Sequence, residues 1–282
     1  MDNIFDNNEL NKLIDLLKTA KNETSIESYI YIKNILNTVE FPIPITIYPK
    51  GTKFIRARVH NNNEDFFKTT DQLSYRKDLL NIKKFGRANE PGQSVFYCSN
   101  NEVLSFVETS HISRENKEKD FEYLTESLWV STEEITAVTL LTNENIRGQH
   151  SEIDNSSRSY ERMFESQNDE NSKIVKVLLE FLSKEFSQIA NGNSNHYKIT
   201  SAFANYIYDT VEDVDGILYP STLYPIEGFN FAFKPNVVDT KMKFYAARRI
   251  KITKIDDKKY ADLEQIESLP HTREDSIINW TQ

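Results

Sequence analysis

The chain has 282 residues, enough for one large domain with an appendage, and its 38% apolar and 12% aromatic content, including 17 Phe and 14 Tyr, gives it the burial capacity that disordered chains lack. A net charge of -9 repels phosphate backbones and anionic lipid, which argues against nucleic acid and membrane as partners. The single cysteine, Cys98, excludes an intramolecular disulfide framework and a multi-thiolate zinc site, and it fits a reducing compartment, so a cytoplasmic location is expected.

The opening MDNIFDNNELNK has no basic segment followed by an apolar one, and no apolar run approaches about 18 residues, so neither export nor membrane spanning is expected. Two helices are predicted between residues 8 and 40, because Leu10, Leu13, Ile14 and Leu17, and then Ile26, Tyr29, Ile30 and Leu36, keep a helical period. We treat residues 1–41 as an N-terminal helical appendage. From residue 42 the period changes. Ile43, Ile45 and Ile47 alternate, and a second strand is predicted over Lys53 to Val59 after the Lys50-Gly51 turn. Residues 61–85 read as a long loop with one helical turn. Ser94 to Cys98 is a strand signal that runs into a helix at about residue 100, with Ser99 and Glu102 in capping-box spacing.

A strand over 135–142 follows, and then residues 143–172 lose apolar period and read as a polar surface insertion. Helices are predicted over about 172–190 and 198–209. Three strands come next: Ile217 to Tyr219, the segment with Phe229, Phe231 and Phe233 alternating, and 244–255. Strands and helices without regular βαβ alternation indicate an α+β fold with a mixed sheet and flanking helices. The main domain is placed at 42–258, with 259–282 as a C-terminal tail.

The seven glycines, at positions 51, 86, 92, 148, 192, 216 and 228, offer no spacing that wraps a phosphate in backbone N–H groups. A nucleotide would therefore be held by side chains. The five histidines show no HExxH and no paired metal spacing, so no metal is expected. There is no GxSxG elbow, and Cys98 lies among apolar neighbours, where a thiol is inert.

What stands out is a set of polar residues inside apolar segments. Glu108 lies at or beside the buried stripe set by Leu104, Val107 and Ile112, where a carboxylate belongs either to a structural ion pair or to a site. Arg56 and Arg58 share one face of their strand, either solvated or forming a bidentate anion clamp, and Arg87 in FGRAN is a third cation of that kind. Tyr97 leads into the Glu108 helix. Ser221 follows the Tyr219-Pro220 pair, and Asn230 points away from Phe229 and Phe231.

These residues carry a resemblance. Phe54-Ile55-Arg56-Ala57-Arg58, FGRANEPGQSVFYCS, SFVE ending in Glu108, DGILYPS ending in Ser221, and EGFNFAF together resemble the RES domain, a toxin family named for its Arg, Glu and Ser. The resemblance spans about residues 50–255. Phe85 stands where a second glycine is frequent, and Ala88 where many members have tryptophan. It implies a fold similar to ADP-ribosyltransferases and an activity that degrades NAD by hydrolysis or phosphorolysis, with NAD as substrate and no other cofactor. It also implies, for many members, an antitoxin partner.

Carried over, Arg56, Tyr97, Glu108 and Ser221 are the expected catalytic positions. Arg56, Arg58, Arg87, Tyr97, Ser221 and Asn230 are the expected groups around the dinucleotide. Two other outcomes stay open at this stage, ADP-ribosyl transfer to a protein and a catalytically idle binding module. The apolar stripes before residue 42 further suggest that those helices cover the domain or mediate self-association.

Overall fold

The computed structural model describes residues 7–41, 43–60, 66–112, 121–140, 158, 161–162, 164–165, 170–188, 193–221, 228–256, 259–270 and 276–281. The polar insertion expected at 143–172 lies largely outside these residues. In chain order the elements are α1 (Asn7–Asn22), α2 (Ile26–Leu36), β1 (Ile45–Tyr48), β2 (Lys53–Val59), α3 (Thr70–Leu73), β3 (Phe96–Ser99), α4 (Glu102–Thr109), β4 (Phe121–Ser131), β5 (Ile135–Thr139), α5 (Glu170–Phe186), α6 (Lys198–Thr210), β6 (Gly216–Pro220), β7 (Phe229–Phe233), α7 (Pro235–Lys241), β8 (Met242–Asp256) and β9 (Lys259–Glu267). The fold is mixed α+β, with an N-terminal helical region. No described helix is long and apolar enough to cross a membrane.

Two compact units are drawn from interleaved stretches: 1–47, 77–95 and 136–226 form the first, and 48–76, 96–135 and 227–282 the second. Neither follows the boundary expected at residue 41. In the first unit the strands run in the order β1, β5, β6, with β5 and β6 parallel. The N-terminal helices bury their stripes here, α2 on α6 and α1 on α2 and α5, because helices this short gain most of their stability from such packing. Leu17, Ile32 and Leu36 are fully buried.

Polar ties fix that packing. Lys198, 1% exposed, directs its ammonium at three oxygens around the α1–α2 turn: Glu23 O at 2.6 Å, Ser25 O at 2.9 Å and Ser28 Oγ at 2.7 Å. Every N–H of the ammonium has an acceptor. Lys21 and Glu185 make a buried ion pair at 2.8 Å between α1 and α5. Tyr29 of α2 accepts from Asn205 Nδ2 at 3.2 Å and shares a hydrogen bond with Ser201 on α6.

In the second unit six strands lie in the order β7, β3, β2, β4, β8, β9, and every neighbouring pair is antiparallel. Strand alternation sorts its side chains into two faces. One face carries an aromatic core, in which Phe54 packs edge-on against Phe231 at 5.2 Å and Phe233 at 5.1 Å, and Phe96 against Trp129 at 5.3 Å. The other carries Ala57, Leu124, Ile250 and Ile252, on which α4 lays Phe106. Each fully buried ring of this kind stabilises the fold by about 1.5–3 kcal/mol.

Three features of this unit have no counterpart in the sequence reading, one of them α7, which follows β7 where no helix is predicted. The central strand β4 falls where no element is predicted. Residues 259–282, taken as a tail, supply β9 and then return to the sheet, with Ile277 bridging Thr69 and Trp280 donating to Phe67 O at 2.8 Å. The reason is pairing: β8 runs 15 residues and leaves a free edge that β9 covers.

Candidate functional site

The chain enters α4 directly from β3. Asn101 caps the helix, its side chain accepting from Leu104 N at 3.1 Å. The cap thus sits two residues beyond the expected Ser99, whose hydroxyl instead donates to Asn101 O at 2.7 Å. Glu102, expected to complete a capping box, pairs with Arg248 of β8 at 2.7 Å, and Arg248 also donates to Glu126 of β4 at 2.7 Å. At the other end of α4, Glu122 of β4 accepts from Ser110 Oγ, from His111 N at 3.1 Å and from Ile112 N at 3.4 Å. Both ends of α4 are therefore fastened to the sheet. Glu122, Glu126 and Arg248 were not among the candidates.

This double fastening sets the position of Glu108, in the last turn of α4. Its carboxylate Oε1 accepts a 3.0 Å hydrogen bond from Asn230 Nδ2, and Asn230 is 7% exposed. Asn230 is fixed in turn. Asn100, beside the helix cap, accepts from Phe229 N at 2.8 Å and donates its own N–H to Phe229 O at 3.3 Å. Gly228 completes the contact: its φ is 153°, and a Cβ there would lie 2.7 Å from Asn100 Oδ1.

The β2–β3 ladder is a single residue pair, Ile55 with Ser99. Beyond it the strands part, and there the Tyr97 carbonyl accepts from Arg56 NH1 at 2.8 Å. The Arg56 guanidinium lies 5.3 Å from the Phe96 ring centre, and its Nε is buried without a hydrogen-bond partner among the described residues. Burial, with repulsion from Arg58, brings its pKa down to about 10. Arg58, on the same face, donates to Gln72 O and stacks over Phe67 at 4.5 Å. Cys98 is buried, and that burial pushes its thiol up, away from thiolate chemistry.

The expected residues are thus divided. The structure joins Glu108 to Asn230 and Arg56 to the Tyr97 backbone, all in the second unit. By strand alternation Arg56 projects from the aromatic face, and Tyr97 and Asn230 from the α4 face, on either side of the point where β2 and β3 separate. Arg87 and Ser221 belong to the first unit. Arg87 donates to Phe186 O and to Gln188 O at 2.9 Å, at the C-terminal end of α5, where carbonyls lack helical partners, and it lies 5.7 Å from the Tyr219 ring. Ser221, 3% exposed, follows β6.

A separate cleft of about 210 Å³ lies in the second unit between the start of α4 and a bulge in the β4–β8 ladder. Arg248, Glu126, Glu102 and Leu128 line it. None of the seven expected residues does. Among the described residues no group of three or more His, Cys, Asp or Glu is placed to hold a metal ion.

No curated protein matches the chain. The family model of the RES domain matches residues 56–251, a stretch that begins at Arg56 and takes in Arg58, Arg87, Tyr97, Glu108, Ser221 and Asn230. With more than two thirds of its length matched, the chain belongs to the RES domain family.

Proposed function

We propose that this protein degrades NAD by cleaving the bond between nicotinamide and ribose, with water or phosphate as acceptor, and that it acts as a toxin or defence effector. The observation that carries the reading is the Glu108 carboxylate, held at 3.0 Å by a buried amide on a helix fastened at both ends. Breaking this bond leaves positive charge on the ribose, as in glycoside cleavage, and a fixed carboxylate stabilises that charge as it develops. The bonding pair leaves with nicotinamide, which is cationic in NAD and departs neutral, so no general acid is needed. An oxygen of the acceptor then bonds to the anomeric carbon, and when the acceptor is water one proton is released.

Arg56 fits the dinucleotide end of the reaction. Its buried Nε is a donor that a pyrophosphate oxygen would satisfy, and a guanidinium suits phosphate better than an ammonium does. Tyr97 would orient the nicotinamide ring. Arg87 and Ser221 enter as groups the family resemblance assigns to the dinucleotide, Arg58 enters from its place on the Arg56 face of β2, and a regulatory protein of antitoxin type is the partner that resemblance favours.

The test is to incubate the purified protein with NAD, with and without phosphate, and identify the products. Free nicotinamide with ADP-ribose is expected in phosphate-free buffer, and a phosphorylated ADP-ribose in its presence if phosphate is the acceptor. Unchanged NAD would overturn the reading, and label retained on protein would turn it into ADP-ribosyl transfer. Glu108→Gln, nearly isosteric, is expected to reduce NAD loss by about 10²–10³-fold while leaving the melting curve in place.

A further inference from the structure

We infer that Asn230 is a positioning residue for Glu108 and not a ligand of the dinucleotide, an inference that rests on the reading of Glu108 as the reaction's carboxylate. Its amide Nδ2 is spent on Glu108 Oε1 at 3.0 Å, and at 7% exposure the side chain has little surface to offer a second molecule.

The helix itself explains why such a donor is needed. Glu108 sits in the last turn of α4, where unpaired carbonyls give the helix end a negative partial charge, and the helix places no Lys, Arg or His in that turn to offset it. An ionised carboxylate there swings away from the helix end unless something holds it. An amide suits the task because it donates without cancelling the negative charge that the developing ribose cation requires, whereas a Lys or Arg would neutralise it.

The holder is rigid. Two hydrogen bonds between Asn100 and Phe229 lock the start of β7 beside the β3–α4 turn, and the close approach at Gly228 leaves no room for a side chain. Asn230 and Glu108 are 122 residues apart in sequence, so this lock, and not local chain geometry, brings the amide to the carboxylate.

Steady-state NAD loss by Asn230→Ala and by the near-isosteric Asn230→Asp tests the inference, with a melting curve for each. In both, kcat is expected to fall at least tenfold with KM within twofold. A raised KM at unchanged kcat would make Asn230 a dinucleotide ligand and overturn the inference. In a Glu108→Asp background, whose shorter carboxylate no longer reaches the amide, Asn230→Ala should add no further loss, and an additive loss would likewise overturn it. A readout independent of activity is the side-chain amide NMR signal of Asn230, which should move when Glu108 becomes Ala; a signal that stays in place rejects the contact. The two readings fail separately. A fully active Glu108→Gln sinks the role of Glu108 itself, whereas an inactive Glu108→Gln beside an Asn230→Ala of normal kcat sinks only the role of Asn230.

Discussion

Two buried cations, one in each unit, are hydrogen-bonded to very different extents. Lys198 and Arg56 are both shifted downward by burial. Lys198 finds three oxygen acceptors at 2.6–2.9 Å and has no N–H left over. Among the described residues Arg56 donates to the Tyr97 carbonyl beside the point where β2 and β3 part, and keeps a buried Nε without a hydrogen-bond partner. Burying a polar group costs free energy unless it is hydrogen-bonded, so a complete set of partners marks a fastener, and the incomplete set at Arg56 is what the dinucleotide contact proposed above would complete. Burial alone does not separate the two roles. The count of partners does.

Breaking the fastener should have the larger effect. Lys198→Met removes the ammonium and leaves Glu23 O, Ser25 O and Ser28 Oγ facing an apolar side chain, so a loss of about 3 kcal/mol in unfolding free energy is expected from urea or thermal melts. Arg56→Lys should behave in the opposite way. With the charge retained and the bond to the Tyr97 carbonyl to replace, stability should change by less than about 1 kcal/mol, while kcat/KM for NAD falls ten- to thirtyfold, about 1.5–2 kcal/mol, because an ammonium cannot reproduce a planar fork. If Arg56→Lys melted early and turned over normally, the guanidinium would be a fastener like Lys198 and the contrast would collapse.

The sequence was most readable where one periodicity dominates. Lys53–Val59 and Phe229–Phe233 form strands at the predicted bounds, because alternating aromatic or branched residues face a single core. β4 shows no strand period because FEYLTESLWVS carries Glu122 and Glu126, each 3% exposed, on the same face as Leu124 and Leu128. Buried carboxylates look like surface residues until the groups that satisfy them are known. Those groups are Ser110 with two backbone N–H groups for Glu122, and Arg248 for Glu126.

The same limit applies to the site. Glu108 was visible from its place beside an apolar stripe, and Asn230 from facing away from its phenylalanines, but nothing local joins them across 122 residues. Arg87 was visible as a cation, whereas its use on the carbonyls ending α5 depends on a contact 99 residues away. Residue type and period thus reveal which side chains are unusual. Which of them are already satisfied is decided by long-range packing.

The smallest effect would sharpen the comparison from the fastened side. Tyr29, 2% exposed in the α2–α6 packing, has its phenol pushed well above the usual value of 10, mainly by burial. Above pH 10 the unfolded chain therefore loses this proton while the folded chain keeps it. Fewer protons are then bound in the unfolded state than in the folded one, and stability falls as pH rises. Tyr29→Phe has no such proton to lose. It starts less stable at pH 8, because Asn205 and Ser201 lose a partner, but wild type should then lose about 1.4 kcal/mol more than the variant by pH 11. All other titrating groups are common to both chains, so the difference between their unfolding free energies isolates this residue. Parallel pH curves would mean that the phenol ionises as easily in the fold as outside it, and that the α2–α6 packing admits water.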